Sequence, residues 1–116
     1  MRDMTSDIIA KVDALDGAVM MSVVTRVELE GGIHRDPALA ATRRLRVDAI
    51  LAAIPVLAFD DAEAAAYRLI VESTGYSRRK ILDRMIAAQA IVQRATLVTM
   101  NAANFSDIPG LQLLRW

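Results

Sequence analysis

The sequence contains no cysteine. That excludes a disulfide framework and any zinc site built on thiolates. It contains one histidine, His34, so a centre made of several imidazoles is excluded too. A metal held by this chain would have oxygen ligands, the donor set suited to Mg²⁺ or Mn²⁺. Charge of one sign is not in excess: 14 basic residues stand against 14 acidic ones. A broad basic field for sequence-blind nucleic-acid binding is therefore missing, which leaves room only for local patches. No apolar run reaches the roughly 18 residues that a membrane span needs. The opening "MRDMTSDIIAKVDALDG" lacks the basic-then-apolar order of a signal peptide, so a cytoplasmic protein is expected.

What is present is apolar substance. Hydrophobic residues make up 54% of 116 positions, enough for one domain, 1–116, with a buried core. Apolar residues at Ile8, Ile9, Val12 and Leu15 predict an amphipathic helix from about Thr5 to Leu15, ended by Gly17. "AVMMSVV", Ala18 to Val24, reads as a buried strand, with Met20 and Met21 as core filler. Thr25 to Glu28 fits a capping box and predicts a short helix that stops at Gly31-Gly32. Asp36-Pro37 opens a helix that runs to about Ala53. "IPVLAF" is a second strand. A helix capped by Asp60 or Asp61 follows, over Ala62 to Ser73, and ends at Gly75. Ser77 begins another helix that ends near Arg94. "ATLVTM" and "LQLLR" are the last two strands, separated by the polar loop "NAANFSD" and an Ile108-Pro109-Gly110 turn.

Alternating strands and helices predict an α/β fold with a parallel sheet flanked by helices. In such folds ligands sit at the carboxyl ends of strands. Glu28 follows the first of these strands, and Asn101 and Asn104 follow the third. Glu28 has two readings: a capping carboxylate that reaches back to Thr25, or an acid aimed into the crevice. Asp83 is an acid in the nearly apolar "ILDRMIAAQAI". If Ser77 is the cap, Asp83 lies beyond the first turn, where the helix dipole helps little. Arg79 and Lys80, four and three residues earlier, are candidate ion-pair partners. The other reading is a metal-binding carboxylate. "SRRK", Ser77 to Lys80, is a compact basic group that is either solvated surface or a guide for phosphates. Arg43, Arg44 and Arg46 form a second basic face, and His34 stands in a turn with no evident second ligand.

Together these segments resemble the PIN-domain ribonucleases of the VapC toxin family. "SVVTRVELEGG" resembles their T-x-x-E-L-x-x-G segment, and "IPVLAFDDAEAAAY" is typical of the stretch that follows. "LDRMIAAQAIVQRATLVTMNAANFSDIPGLQLLRW" resembles their C-terminal half. The resemblance covers nearly the whole chain. It implies a PIN-like three-layer α/β fold and acidic residues that bind Mg²⁺ or Mn²⁺. It also implies endonucleolytic cleavage of RNA, a cognate VapB-type antitoxin and a homodimer. Glu28 matches the family's second acid and Asp83 its third. Thr99, Asn101 and Asn104 fall at the positions that complete the site, and Arg79 and Lys80 are candidates for phosphate contacts. In one respect the sequence departs from the pattern. The family's first acid ends a central N-terminal strand in an L-D-T-N type motif, which is absent here, and Asp3 and Asp7 do not stand in that pattern. The fold is therefore expected to lack its first central strand. The alternatives are a PIN-like binding or dimerisation module that does not cut, and a PIN nuclease acting outside a toxin–antitoxin pair.

Overall fold

The computed structural model describes residues 10, 11, 14 and 19–116. The helix expected over Thr5 to Leu15 falls largely outside the described residues, as do Asp3 and Asp7. The chain divides into two compact units, Met1–Leu57 and Ala58–Trp116.

In the first unit, strand β1 (Met21–Ser22) pairs in parallel with β2 (Val56–Leu57), Met21 opposite Val56 and Ser22 opposite Leu57. Helix α1 (Val23–Ile33) starts earlier than the capping-box pattern predicts. Its cap is Ser22, whose Oγ accepts from the Val24 N–H at 3.0 Å. Thr25 lies inside the helix, so Glu28 is not at a capping position. The expected strand over Ala18 to Val24 shrinks for the same reason: Val23 and Val24 are wound into α1. Met20, expected in the core, is 40% exposed.

Gly31 and Gly32 do not stop α1, which runs through both to Ile33. Two features carry the helix past them. Ile33 is buried and anchors the last turn, and Arg43 Nη1 donates to the Gly32 carbonyl at 3.3 Å. Helix α2 (Ala40–Ala53) packs against α1. It is entered through a 3₁₀ turn, Pro37–Leu39, where Asp36 Oδ1 accepts from the Ala38 N–H. Proline in the first turn costs nothing there, because its missing N–H has no intrahelical partner to lose. Val24, Ile33 and Val47 are the buried apolar residues of this unit among the described residues.

The second unit holds α3 (Asp61–Thr74), α4 (Ile81–Gln93), β3 (Thr96–Thr99) and β4 (Gln112–Arg115). Gly75 ends α3 at φ 84, a left-handed conformation that suits glycine. A 3₁₀ turn, Arg78–Lys80, comes before α4. Strands β3 and β4 are parallel, from Thr96 opposite Gln112 to Thr99 opposite Arg115. The core joins Ile70 of α3, Ala87 and Ala88 of α4, and Phe105 and Ile108 of the loop before β4. Phe59, Tyr67, Ile91, Leu97, Leu111 and Leu113 pack around it.

The expected α/β character and parallel pairing are both present. The four strands form two two-stranded parallel sheets rather than one, and the described residues contribute no further strand. The β1–β2 pair is short because α1 takes up Val23 and Val24 directly after β1. Among the described residues, no helix is long and apolar enough to cross a membrane.

Candidate functional site

The second unit brings most of the candidate residues to two neighbouring segments: the start of α4, and the turn that leaves the carboxyl end of β3. The turn is built locally. The Asn101 N–H donates to Thr99 Oγ1 at 3.0 Å, and the Asn104 N–H donates to the Asn101 carbonyl at 3.0 Å. The Thr99 carbonyl accepts from the Trp116 N–H at 2.9 Å, which fixes the end of β3 beside the end of β4. Residues Ala102–Phe105 form a 3₁₀ turn whose last residue, Phe105, is buried in the core. With Phe105 as the inward anchor, Asn101 and Asn104 are left exposed, and neither side chain is used to cap the turn. The Thr99 hydroxyl is already committed as an acceptor. It retains its O–H as a donor.

On α4 the alanines and Gln89 of "IAAQA" are buried, and this side faces the core. Asp83 is half-buried. It stands in the first turn of α4, not beyond it, because the Arg78–Lys80 turn is 3₁₀ and the α-helix begins only at Ile81. The free N–H groups and the positive end of the helix dipole therefore favour its carboxylate. Of the two readings of Asp83, the ion pair with Arg79 or Lys80 does not form among the described residues. Lys80 Nζ lies 3.5 Å from Asp107 Oδ2 instead, and Arg79 is exposed. No ion pair or side-chain hydrogen bond engages Asp83 among the described residues.

The turn after Asn104 and the start of α4 are joined through Asp107, which receives Lys80 and also Arg84, whose Nη2 lies 3.7 Å away. Sequence pattern does not single out Arg84 or Asp107. The signal for Arg84 was its place in the run: one residue after Asp83 and three before Ala87, it occupies a position that a helix buries together with its alanines.

Glu28 belongs to the first unit, where it is exposed on α1. The neighbouring ion pair, Arg26 Nε to Glu30 Oε1 at 3.7 Å, leaves Glu28 out. His34 terminates α1 through its backbone N–H, consistent with a turn residue. Among the described residues no group of three acidic, histidine or cysteine side chains converges to hold a metal. The donor chemistry of the candidates does suit a hard divalent cation: it is all oxygen, and among the described residues no cation is paired with the Asp83 carboxylate.

Comparison with known proteins agrees with this architecture. The PIN domain family model matches residues 3–111, and the chain belongs to that family. Its structure is similar to that of VapBC2 from Rickettsia felis bound to a DNA fragment from their promoter. There the TM-score is 0.76 at 26% identity, covering 95% of this chain and 80% of that one. It is similar also to VapBC-1 from nontypeable Haemophilus influenzae, with TM-score 0.76, 23% identity, and 94% and 84% of the two chains covered. DNA-bound VapBC from Salmonella typhimurium follows, with TM-score 0.71, 24% identity, and 82% and 73% covered. The last two likenesses concern the fold alone. None of the curated proteins matches the chain in sequence. The resemblance to the VapC kind of PIN domain thus extends from sequence motifs to tertiary structure.

Proposed function

We propose that the chain is a metal-dependent endoribonuclease, the toxin of a VapBC-type pair, with Asp83 as a carboxylate ligand for Mg²⁺ or Mn²⁺ and Glu28 as a second candidate ligand by its motif position. The observation that carries this reading is the Asp83 carboxylate: half-buried, in the first turn of α4, with no cation paired to it among the described residues, in a chain of the PIN family. Glu28 enters by its place in the T-x-x-E-L-x-x-G motif, and it too has no ion pair among the described residues.

A divalent ion bound to such carboxylates supplies a water of lowered pKa and neutralises charge on phosphate oxygens. The chain's own residues supply the rest. Asp83 supplies a carboxylate in the first turn of α4. Asn101 and Asn104 offer exposed amides that orient a water or a phosphate oxygen, and Thr99 keeps one O–H to donate. Arg79, exposed and without an ion pair among the described residues, is the better of the two candidate phosphate contacts. Lys80 has to share its ammonium with Asp107. The partner in this reading is a small DNA-binding antitoxin, as the DNA-bound VapBC neighbours suggest, and the protein works as a cytoplasmic homodimer.

A second reading is a binding module that keeps partner contacts without cutting. It is favoured by the lack of a three-carboxylate group among the described residues. One experiment separates the two. Purified protein is incubated with a pool of structured RNAs, with Mn²⁺ or with a chelator. Metal-dependent cleavage that disappears in Asp83→Ala, with an unchanged circular dichroism spectrum, supports the nuclease. Cleavage that persists in a well-folded Asp83→Ala protein refutes the metal assignment, and no cleavage by the native chain favours the module.

A further inference from the structure

Arg84 is the one buried cation among the described residues, at 2% exposure. Its Nη1 donates to the Gly75 carbonyl at 2.7 Å, and its Nη2 lies 3.7 Å from Asp107 Oδ2. Its Nε is buried with no hydrogen-bond partner. These contacts are a poor return for removing a cation from water. The carbonyl bond is short, but the ion pair is long, and its carboxylate is 41% exposed. An apolar side chain of similar length would fill the space at lower cost.

What the guanidinium does achieve is direction. It is planar and presents its donors in a fixed fork, so contacts at two points fix its orientation. Those points are Gly75, which ends α3, and Asp107, in the turn that follows Asn104. The first turn of α4 is therefore pinned in rotation about its own axis. The adjacent residue, about 100° further round that axis, is Asp83.

We propose that Arg84 is a positioning residue for the Asp83 carboxylate: by clamping α4 to Gly75 and Asp107 it sets the direction in which Asp83 meets a divalent cation. The proposal rests on the nuclease reading given above. It assigns to Arg84 no contact with substrate. Its consequence is that loss of the clamp weakens metal binding without weakening RNA binding. Groups that orient a ligand from behind typically change metal affinity by roughly 10- to 100-fold.

The test uses the full chain as wild type, Arg84→Met, Arg84→Lys and Asp107→Asn. Mn²⁺ affinity is measured by calorimetry, and RNA cleavage is followed across a Mn²⁺ series. In Arg84→Met the half-saturating Mn²⁺ concentration is expected to rise about tenfold or more. Saturating metal should then recover kcat, and KM for RNA should stay within about twofold of wild type. Arg84→Lys, which keeps a cation and a donor, should recover part of the loss. Half-saturation within about twofold of wild type in Arg84→Met overturns the proposal. So does activity that falls only with the folded fraction. If Arg84→Met does not fold, Asp107→Asn decides, because Asp107 is half-exposed and its loss leaves no buried void. A shift of about threefold supports the clamp, and no shift overturns it. A wild-type protein that neither binds Mn²⁺ nor cuts RNA overturns the nuclease reading and this proposal together. A wild type that does both, matched by Arg84→Met, overturns only this one.

Discussion

Gln89 Nε2 donates to the backbone carbonyl of Ala58 at 3.0 Å, joining the middle of α4 to the segment that leads into α3. Gln89 is 1% exposed and is flanked by the buried Ala88 and Ala90. A buried amide is tolerated here because it supplies a donor to a main-chain carbonyl that lies 31 residues away in sequence. Gln89→Leu keeps the volume and removes the donor. It should destabilise the protein by about 0.5–1.5 kcal/mol, the net worth of an intramolecular hydrogen bond, since Ala58 is itself exposed. Urea denaturation measures it, and a variant as stable as the native protein would show that the bond contributes nothing.

Asp83 gives a prediction linked to metal. Without a divalent ion, Asp83→Asn loses only a first-turn dipole interaction, which is worth about 0.3–1 kcal/mol. The melting temperature should move little. With Mn²⁺ in excess, the native protein gains stability by mass action, and the variant should not. Thermal unfolding with and without Mn²⁺ tests this. An equal metal-induced shift in both proteins would sink the ligand assignment.

Gly31 and Gly32 lie inside α1, and a Cβ built on either meets no atom within 4 Å. Alanine there gains helix propensity and restricts the unfolded chain. Gly31→Ala should therefore stabilise by about 0.5–1 kcal/mol. If these glycines acted as a helix stop, the substitution would lower the denaturation midpoint instead.

Arg94 caps α4 at φ 53, the left-handed region that a side chain disfavours. It is exposed, and the cap geometry is held by its backbone N–H to the Ile91 carbonyl at 3.1 Å. Arg94→Gly should raise stability by about 0.5–1 kcal/mol, the left-handed penalty less the extra entropy of glycine. A scanning calorimetry trace with a lowered midpoint would contradict it.

Lys80 and Arg79 differ in commitment, and their variants should differ as well. Lys80 lies 3.5 Å from Asp107, and Arg79 has no ion pair among the described residues. If both face the RNA backbone, Arg79→Ala should raise KM more than Lys80→Ala, with kcat little changed. Asp107→Asn should strengthen the contribution of Lys80. Cleavage kinetics at two salt concentrations reveal this, since each lost phosphate contact flattens the salt dependence.

Much of the secondary structure was legible from local signals. The Asp36-Pro37 entry, the Gly75 stop, the end of α4 near Arg94 and the strand in "ATLVTM" lie where capping chemistry and apolar runs put them. Local signals also misled. Thr25 to Glu28 has the letters of a capping box, yet Ser22 is the cap, because any hydroxyl that precedes the helix can take the first free N–H groups. The glycine pair looks like a stop, but buried Ile33 one residue on carries the helix further.

The sequence by itself determined the kind of chemistry available: oxygen donors apart from one histidine, acids at Glu28 and Asp83 that resemble the family's motif positions, and amides after the third strand. These follow from which residues exist and in what order. Tertiary structure alone decided which charges are committed. Asp83 is spared because Lys80 reaches Asp107 instead, and Arg84 is drawn inward to Gly75 and Asp107. Such choices depend on distances between residues far apart in sequence, and on burial that strengthens a charge interaction only where water has been excluded. No spacing rule along the chain encodes either one.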